Sequence, residues 1–141
     1  MSKSSSGGAP RIPPAPAADG GISRALVVKV TAGKDDPERC NQALTVAAAA
    51  AASGVQVSLW LTGEAAWLAL PGRSGDVVLP HAMPMADLLT TVLSVGSVTV
   101  CTQCAARRAI TESDVLAGVR IAGATTFLTE ILADGTQALV Y

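Results

Sequence analysis

Short apolar runs alternate with helical patterns along most of the chain, and this alternation is what most constrains the fold. The runs predicted as strands are rich in Val, Leu and Ile: residues 25–30, 55–61, 97–101, 119–123 and 136–141. The segments predicted as helices lie between them: residues 37–53, 63–70, 86–96, 104–110 and 124–135, the last with Gly135 as its C-cap. Strands that alternate with helices form parallel sheets covered on both faces. The sequence therefore predicts an α/β fold with a mostly parallel, five-stranded sheet.

The boundaries of the first helix are the clearest of these signals. Asp36 is a favoured N-cap residue, Pro37 suits the first helical position, and Gly54 suits the position just beyond the end. The alanine-rich body between them presents a small surface, which lets a helix lie close against a sheet.

Residues 1–23 differ in composition from the rest of the chain. They are rich in Ser, Gly, Pro and Ala and contain almost no large apolar side chain. Such a segment cannot bury enough surface to offset the entropy lost on ordering. We therefore expect a disordered tail at 1–23, removable without loss of stability, and one folded domain at 24–141.

Composition and charge exclude several classes of protein. The formal net charge is −1, so no overall field attracts nucleic acid or an anionic membrane. The longest nearly apolar run, 43–52, is about half of the ~20 residues that a membrane helix needs. No apolar signal region follows the N-terminus. Three cysteines are an odd number and fit reduced thiols, so we expect a cytoplasmic protein. Phosphate-loop and dinucleotide-binding motifs are absent, and no cofactor is predicted.

Two of the three cysteines form the motif C-x-x-C. Cys101 ends the third predicted strand, and Cys104 follows within the next helical segment. In open α/β sheets, functional sites gather at the carboxyl ends of the strands. The motif therefore lies where a site is expected, and it suits a zinc clip, a redox pair or a sulfur-carrying thiol.

A structural zinc site would need two more ligands. The candidates are Cys40 and His81, which come from separate segments and have no clip spacing. Cys40 is interpreted as a small buried residue. His81 is interpreted as a loop histidine, with the alternative that it folds over the cysteines as a base. The sequence predicts no structural metal.

A dithiol redox pair is the stronger alternative. A helix N-terminus lowers the pKa of a thiol, and Arg107 and Arg108 add positive charge nearby. However, the motif follows the third strand and not the first, and no strand with a cis-proline is evident.

Two stretches resemble the DsrE/DsrF-like family. One is GKDDPERCNQALTVAAAAAASGVQVSLWLTGEA, in which a strand leads into D-x-P and a small-residue helix. The other is SVTVCTQCAARRAI, which is similar to the family's cysteine stretch. In that stretch a strand ends in a cysteine, some members have a second cysteine in the motif C-x-x-C, and an arginine follows. The resemblance covers about residues 24–141. It implies a three-layer α/β/α sandwich and a small oligomeric cytoplasmic protein, of a kind whose best-understood members pass persulfide sulfur between proteins.

The resemblance assigns roles to three residues. Cys101 matches the sulfur-carrying cysteine, Cys104 the second cysteine, and Arg108 the arginine, while Ala109 stands where the family usually has glycine. We therefore expect a sulfurtransferase-like relay in which Cys101 accepts sulfur, Cys104 releases it, and Arg107 or Arg108 stabilises the thiolate. A non-catalytic assembly module of the same fold and a dithiol oxidoreductase remain the alternatives.

The expected partners are sulfur donor and acceptor proteins and further copies of the chain. Trp60, Trp67 and the apolar loop 77–85 offer surface that another copy could cover. The resemblance favours a trimer or a hexamer. Binding to nucleic acid or to a membrane is not expected.

Overall fold

The computed structural model describes residues 24–141, and these residues contain five strands. The strands are β1 (Ala25–Val30), β2 (Gln56–Leu61), β3 (Ser97–Cys101), β4 (Val119–Ala122) and β5 (Thr136–Val140). All of the neighbouring strands pair in parallel, and they form one sheet in the order β4-β3-β2-β1-β5. The predicted parallel, five-stranded sheet is confirmed.

Helices connect the strands. They are α1 (Pro37–Ala52), α2 (Met85–Val95), α3 (Thr102–Arg107) and α4 (Ala124–Ile131). Two 3₁₀ segments, Gly63–Ala69 and Arg73–Asp76, lie between β2 and α2. None of the described helices is long and apolar enough to cross a membrane.

Helix α1 forms as its sequence predicts. The carboxylate of Asp36 accepts a hydrogen bond from the backbone N–H of Arg39, and Pro37 occupies the first turn. Beyond the C-terminus of the helix, Gly54 has a φ of 85°, a conformation that glycine adopts without cost. The alanines and Leu44 on one side of α1 are buried against the sheet.

The two faces of the sheet have different environments. On one face, which we call the α1 face, Val28, Leu59 and Val98 are fully buried in the main hydrophobic cluster beneath α1 and α2. On the other, the α4 face, the ring of Phe127 from α4 packs edge-to-face on Trp60, with ring centres 5.2 Å apart. Helices on both faces give the three layers that the resemblance implies.

The last helix is shorter than predicted. It ends at Ile131 with Leu132 as its C-cap, and Gly135, with a φ of 77°, belongs to the turn before β5. Because Ala25 donates its N–H to the carbonyl of Gly135 and pairs with Thr136, the chain must leave the helix early enough to enter the sheet beside β1. The prediction of a C-cap at Gly135 was wrong for this reason.

Two further predictions concern connecting segments. The helix predicted at 63–70 is a 3₁₀ segment, and the connection predicted as irregular at 71–85 contains the second 3₁₀ segment. The predicted tail at 1–23 lies outside the described residues and stays a prediction.

Candidate functional site

Cys101 lies at the junction between the sheet and a helix. It is the last residue of β3 and also the N-cap of α3, because the helix begins at Thr102 without an intervening loop. An N-cap side chain lies beside the free N–H groups of the first helical turn. The sequence thus places a half-buried sulfur at the electropositive end of α3.

The surroundings of Cys101 favour its thiolate. Partial burial would raise the pKa of the Cys101 thiol, but several groups act against it and the net pKa is lowered. These groups are the backbone N–H donors of Cys104 and Gln103, the thiol of Cys104 and the charge of Lys29. The two N–H groups approach the sulfur without completing a regular N-cap hydrogen bond. Since the thiolate is the nucleophilic form of cysteine, this environment favours reaction at Cys101.

Cys104 is the second sulfur of the site and is buried. Its Sγ accepts a hydrogen bond from the backbone N–H of Gly63 across 3.2 Å. Gly63 begins the segment after β2 and has a φ of 53°, and a Cβ at this position would lie 2.6 Å from the carbonyl oxygen of Thr31. A glycine is therefore needed where the backbones following β1 and β2 come together beneath Cys104.

Arg108 contacts a carboxylate and not a sulfur. Its guanidinium donates to Glu64 through Nη2 at 2.7 Å and Nε at 3.1 Å, and through Nη1 to the carbonyl of Cys104 at 3.2 Å. The guanidinium thus links the end of α3 to the segment after β2. Arg107 is exposed. The expected stabilisation of the thiolate by either arginine stays a prediction, and the contacts of Arg108 indicate a role in holding α3 in place.

The turn that follows α3 depends on Ala109. Ile110 donates its N–H to the carbonyl of Ala105 at 2.9 Å, and Ala109 donates to Ala106 at 3.2 Å. This pattern is a Schellman motif, whose residue beyond the cap takes a left-handed conformation. Ala109 has a φ of 56°, so alanine occupies a position that favours glycine.

Two residues weighed as further ligands or bases do not join the site. Cys40 is completely buried in the core, and burial together with Asp35 and Asp36 raises the pKa of its thiol to about 12. His81 lies exposed in the loop before α2, and no hydrogen bond joins it to a cysteine within residues 24–141. Across the same part of the chain, no group of three or more His, Cys, Asp or Glu side chains is arranged to hold a metal ion.

Three contributors to the site were missed by sequence reasoning. Gly63 and Glu64 come from the 3₁₀ segment that follows β2, and Lys29 comes from β1. One sequence feature could have pointed to Lys29, because it is a charged residue within an otherwise apolar strand. The contacts of Gly63 and Glu64 depend on the order of the strands, which the motif alone does not contain.

The sequence model of the DsrE/DsrF-like family matches residues 24–141. This range includes every described element and the complete C-x-x-C motif. No curated protein matches the chain.

Several solved structures share the fold at low sequence identity. The ychN protein from E. coli is 18% identical with a TM-score of 0.70, and the match covers 84% of this chain and 99% of that one. MTH1491 from Methanobacterium thermoautotrophicum, a protein of unknown function, is 14% identical with a TM-score of 0.59, covering 84% and 99%. BT1422 from Bacteroides thetaiotaomicron, also of unknown function, is 16% identical with a TM-score of 0.53, covering 89% and 100%. At these identities the likeness establishes the fold alone.

Proposed function

The chain belongs to the DsrE/DsrF-like family, and from this membership and the geometry at β3 we propose that it is a sulfur carrier that accepts persulfide sulfur on Cys101. The observation that carries the proposal is the position of Cys101 as the N-cap of α3 beside a second thiol, that of Cys104, a setting in which the pKa of the Cys101 thiol is lowered. A purely structural cysteine needs neither a favoured thiolate nor a neighbouring sulfur.

The first step is a displacement at sulfur. The Cys101 thiolate attacks the terminal sulfur of a donor persulfide, R–S–SH. A bond forms between Sγ and that terminal sulfur, the donor S–S bond breaks, and the donor leaves as the thiolate R–S⁻. Cys101 then carries the group –S–SH, and no external oxidant or reductant is needed.

Two outcomes are open to the loaded sulfur, and both use Cys104. If the Cys104 thiolate attacks the terminal sulfur, the persulfide moves to Cys104 and Cys101 is restored as a thiolate. If it attacks the inner sulfur, a Cys101–Cys104 disulfide forms and HS⁻ leaves, and a dithiol reductant must then restore the pair. The N–H of Gly63 holds the Cys104 sulfur in place for either step.

The proposed partners are sulfur donor and acceptor proteins, and the proposed location is the cytoplasm. All three cysteines are unpaired in the described residues, as expected of a reducing compartment. The adjacent thiols also favour a second candidate, a dithiol oxidoreductase, because the same two sulfurs form a disulfide in one of the steps above. An assembly module without catalysis is the third candidate, favoured by the exposed Leu128 of α4 and the exposed C-cap residue Leu132.

The test is sulfur loading followed by mass spectrometry. A persulfide donor is expected to add the mass of one sulfur atom to the peptide that contains Cys101. C101S should abolish the adduct, whereas C104S should preserve it or extend its lifetime because the attacking thiol is gone. An oxidoreductase would instead reduce insulin disulfides rapidly and lose this activity in either variant. An assembly module would show neither activity, and slow, equal labelling of all three cysteines would contradict the carrier proposal.

A further inference from the structure

Lys29 and Cys101 lie on the same face of the sheet. The register pairs Lys29 with Trp60, and Trp60 with Thr99. Paired residues in adjacent strands point to the same face, and Cys101 follows Thr99 by two residues, so its side chain also points to the α4 face. With strands about 4.8 Å apart and a rise of about 3.3 Å per residue, the Cα atoms of Lys29 and Cys101 lie about 12 Å apart. The four-carbon stem of a lysine spans about half of that distance.

The ammonium group of Lys29 is held in position by an aromatic ring. Its Nζ lies 5.1 Å from the ring centre of Phe127, within the range of a cation–π contact. Phe127 lies near the start of α4, and only Gly123 separates α4 from β4, whose last residue, Ala122, pairs with Cys101. The ring, which also packs on Trp60, therefore holds the ammonium group on the α4 face, the face to which Cys101 points. The charge of Lys29 is among the groups that act on the Cys101 sulfur.

Two other arginines near the site are each paired with a carboxylate, while Arg107 is exposed and belongs to none of the ion pairs within residues 24–141. Arg120 on β4 pairs with Glu130 on α4, and Glu130 also accepts hydrogen bonds from Ser58 at 2.6 Å and from the indole of Trp60 at 2.9 Å. Arg108 is paired with Glu64. Within residues 24–141, the ion pairs leave Lys29 without a carboxylate partner. Its charge is thus available to an incoming group.

We propose that Lys29 makes Cys101 selective for sulfur donors that carry negative charge. The inference rests on the proposed function, because it names the class of donor at the same site. A thiolate that attacks an anionic donor brings two negative charges together, and the departing thiolate adds charge to the same region. A cation fixed on the same face of the sheet as the sulfur reduces this repulsion in the transition state more than in the free protein. Lys29 is therefore a positioning and specificity residue and forms no bond to the sulfur.

The test compares disulfide reagents of different charge. Dithiobis(nitrobenzoate) is anionic and dithiodipyridine is neutral, and each transfers one arylthio group to the thiolate while the other leaves as an arylthiolate. In a C40A/C104S background, we expect K29Q to slow the anionic reagent about threefold more than the neutral one, the order of magnitude for the loss of one charge several ångströms away in water. K29R should keep the wild-type ratio. K34Q, which removes an exposed lysine from the loop after β1, should also keep it.

A loss of rate that is equal for both reagents would overturn the inference, because a structural effect slows them alike. An unchanged ratio in K29Q would overturn it too. If K29Q fails to fold, the two reaction rates are instead measured at low and high salt in the C40A/C104S protein that retains Lys29. High salt should slow the anionic reagent relative to the neutral one, and an unchanged ratio contradicts the proposal.

A second arm uses sulfur donors. Glutathione persulfide, which is anionic, should load Cys101 faster than cysteamine persulfide, which is cationic, and K29Q should reduce that preference. If neither donor loads Cys101 while the disulfide reagents still show the charge preference, the carrier function fails and the role of Lys29 stands. If both donors load at rates that K29Q leaves in the same ratio, the carrier function stands and the role of Lys29 fails.

Discussion

The backbone N–H of Gly63 donates a hydrogen bond to the Sγ of Cys104 across 3.2 Å and so joins the segment that follows β2 to the helix that follows β3. The segments that follow two neighbouring strands thus supply the two sides of one contact. The position of the second sulfur consequently depends on a residue 41 positions earlier in the chain.

We predict that Gly63→Ala destabilises the protein and displaces Cys104. The alanine must adopt a φ of 53°, and its Cβ would lie 2.6 Å from the carbonyl oxygen of Thr31. The left-handed conformation alone costs about 1–2 kcal/mol, and the clash adds to it. Urea unfolding should therefore show a loss of about 2 kcal/mol or more.

Gly72→Ala is the matched control for this variant. Gly72 has a φ of 76° but no atom within 4 Å of an added Cβ, so it carries the conformational cost without the clash. Equal losses in the two variants would show that the contact with Thr31 is unimportant.

The strands were predictable because each carries a local signal. Apolar, β-branched runs marked β1 and β3 at the observed residues, and Asp36 with Pro37 marked the start of α1. The end of α4 was not predictable in the same way, since it is set by the pairing of β5 with β1 at the far edge of the sheet. A local pattern does not contain that pairing.

The candidate site was predictable in part. The position of Cys101 at a strand end and of Cys104 within the next turn followed from spacing. The contacts that tune these sulfurs involve Lys29, Gly63 and Glu64, and the sheet order 4-3-2-1-5 brings those residues together. The charge of Arg108 was evident from the sequence, but its pairing with Glu64 was not.

Ala109→Gly is expected to stabilise the protein. Ala109 has a φ of 56° at the position of a Schellman motif where glycine is favoured. Removal of the Cβ relieves the strain, while the greater freedom of glycine in the unfolded chain offsets part of the gain. We expect a net gain of about 0.5–1 kcal/mol by urea or thermal unfolding.

Ala106→Gly provides the comparison for Ala109→Gly. Ala106 is exposed inside α3, where glycine has no strain to relieve and lowers stability by about 1 kcal/mol. Opposite signs for the two substitutions are the expected result. A loss of stability in both would show that the turn after α3 does not strain Ala109.

Association of copies of the chain is predicted to use the surface formed by α4 and β5. Leu128 on α4 and Leu132, the C-cap of α4, are 52% and 71% exposed, and Val140 on the edge strand β5 is 65% exposed. The sequence predicts Trp60, Trp67 and the loop 77–85 as this surface instead, but Trp60 is buried beneath Phe127. We expect light scattering to give a multiple of the 14.1 kDa chain and L132Q to lower it.

Val78→Gln separates the two candidate surfaces. Val78 lies in the loop 77–85 and is 75% exposed. If α4 and β5 form the interface, V78Q should leave the mass measured by light scattering unchanged. A fall in mass with V78Q but not with L132Q would move the interface to the loop. A mass of one chain for the wild-type protein at micromolar concentration would contradict association altogether.

The alkylation of the three cysteines is predicted to depend on pH in different ways. The pKa of the Cys101 thiol is lowered, so its thiolate forms at a lower pH than that of an ordinary cysteine, and its rate with iodoacetamide should rise first as pH increases. Cys40, with a pKa of about 12 and a fully buried side chain, should stay unlabelled while the protein is folded. Peptide mass spectrometry after timed labelling measures each site separately.

Cys104→Ala tests the cause of the lowered pKa. The thiol of Cys104 is one of the donors that favour the Cys101 thiolate, so its removal should raise the pKa of Cys101 and move the rate profile to higher pH. The backbone N–H groups of Gln103 and Cys104 remain in the variant, and part of the lowering should therefore persist. Cys40→Ala, which removes a thiol outside the site, should leave the profile of Cys101 where it is. A profile that C104A does not move would show that the second sulfur does not act on the first, and the paired-thiol chemistry proposed for Cys101 would lose its physical basis.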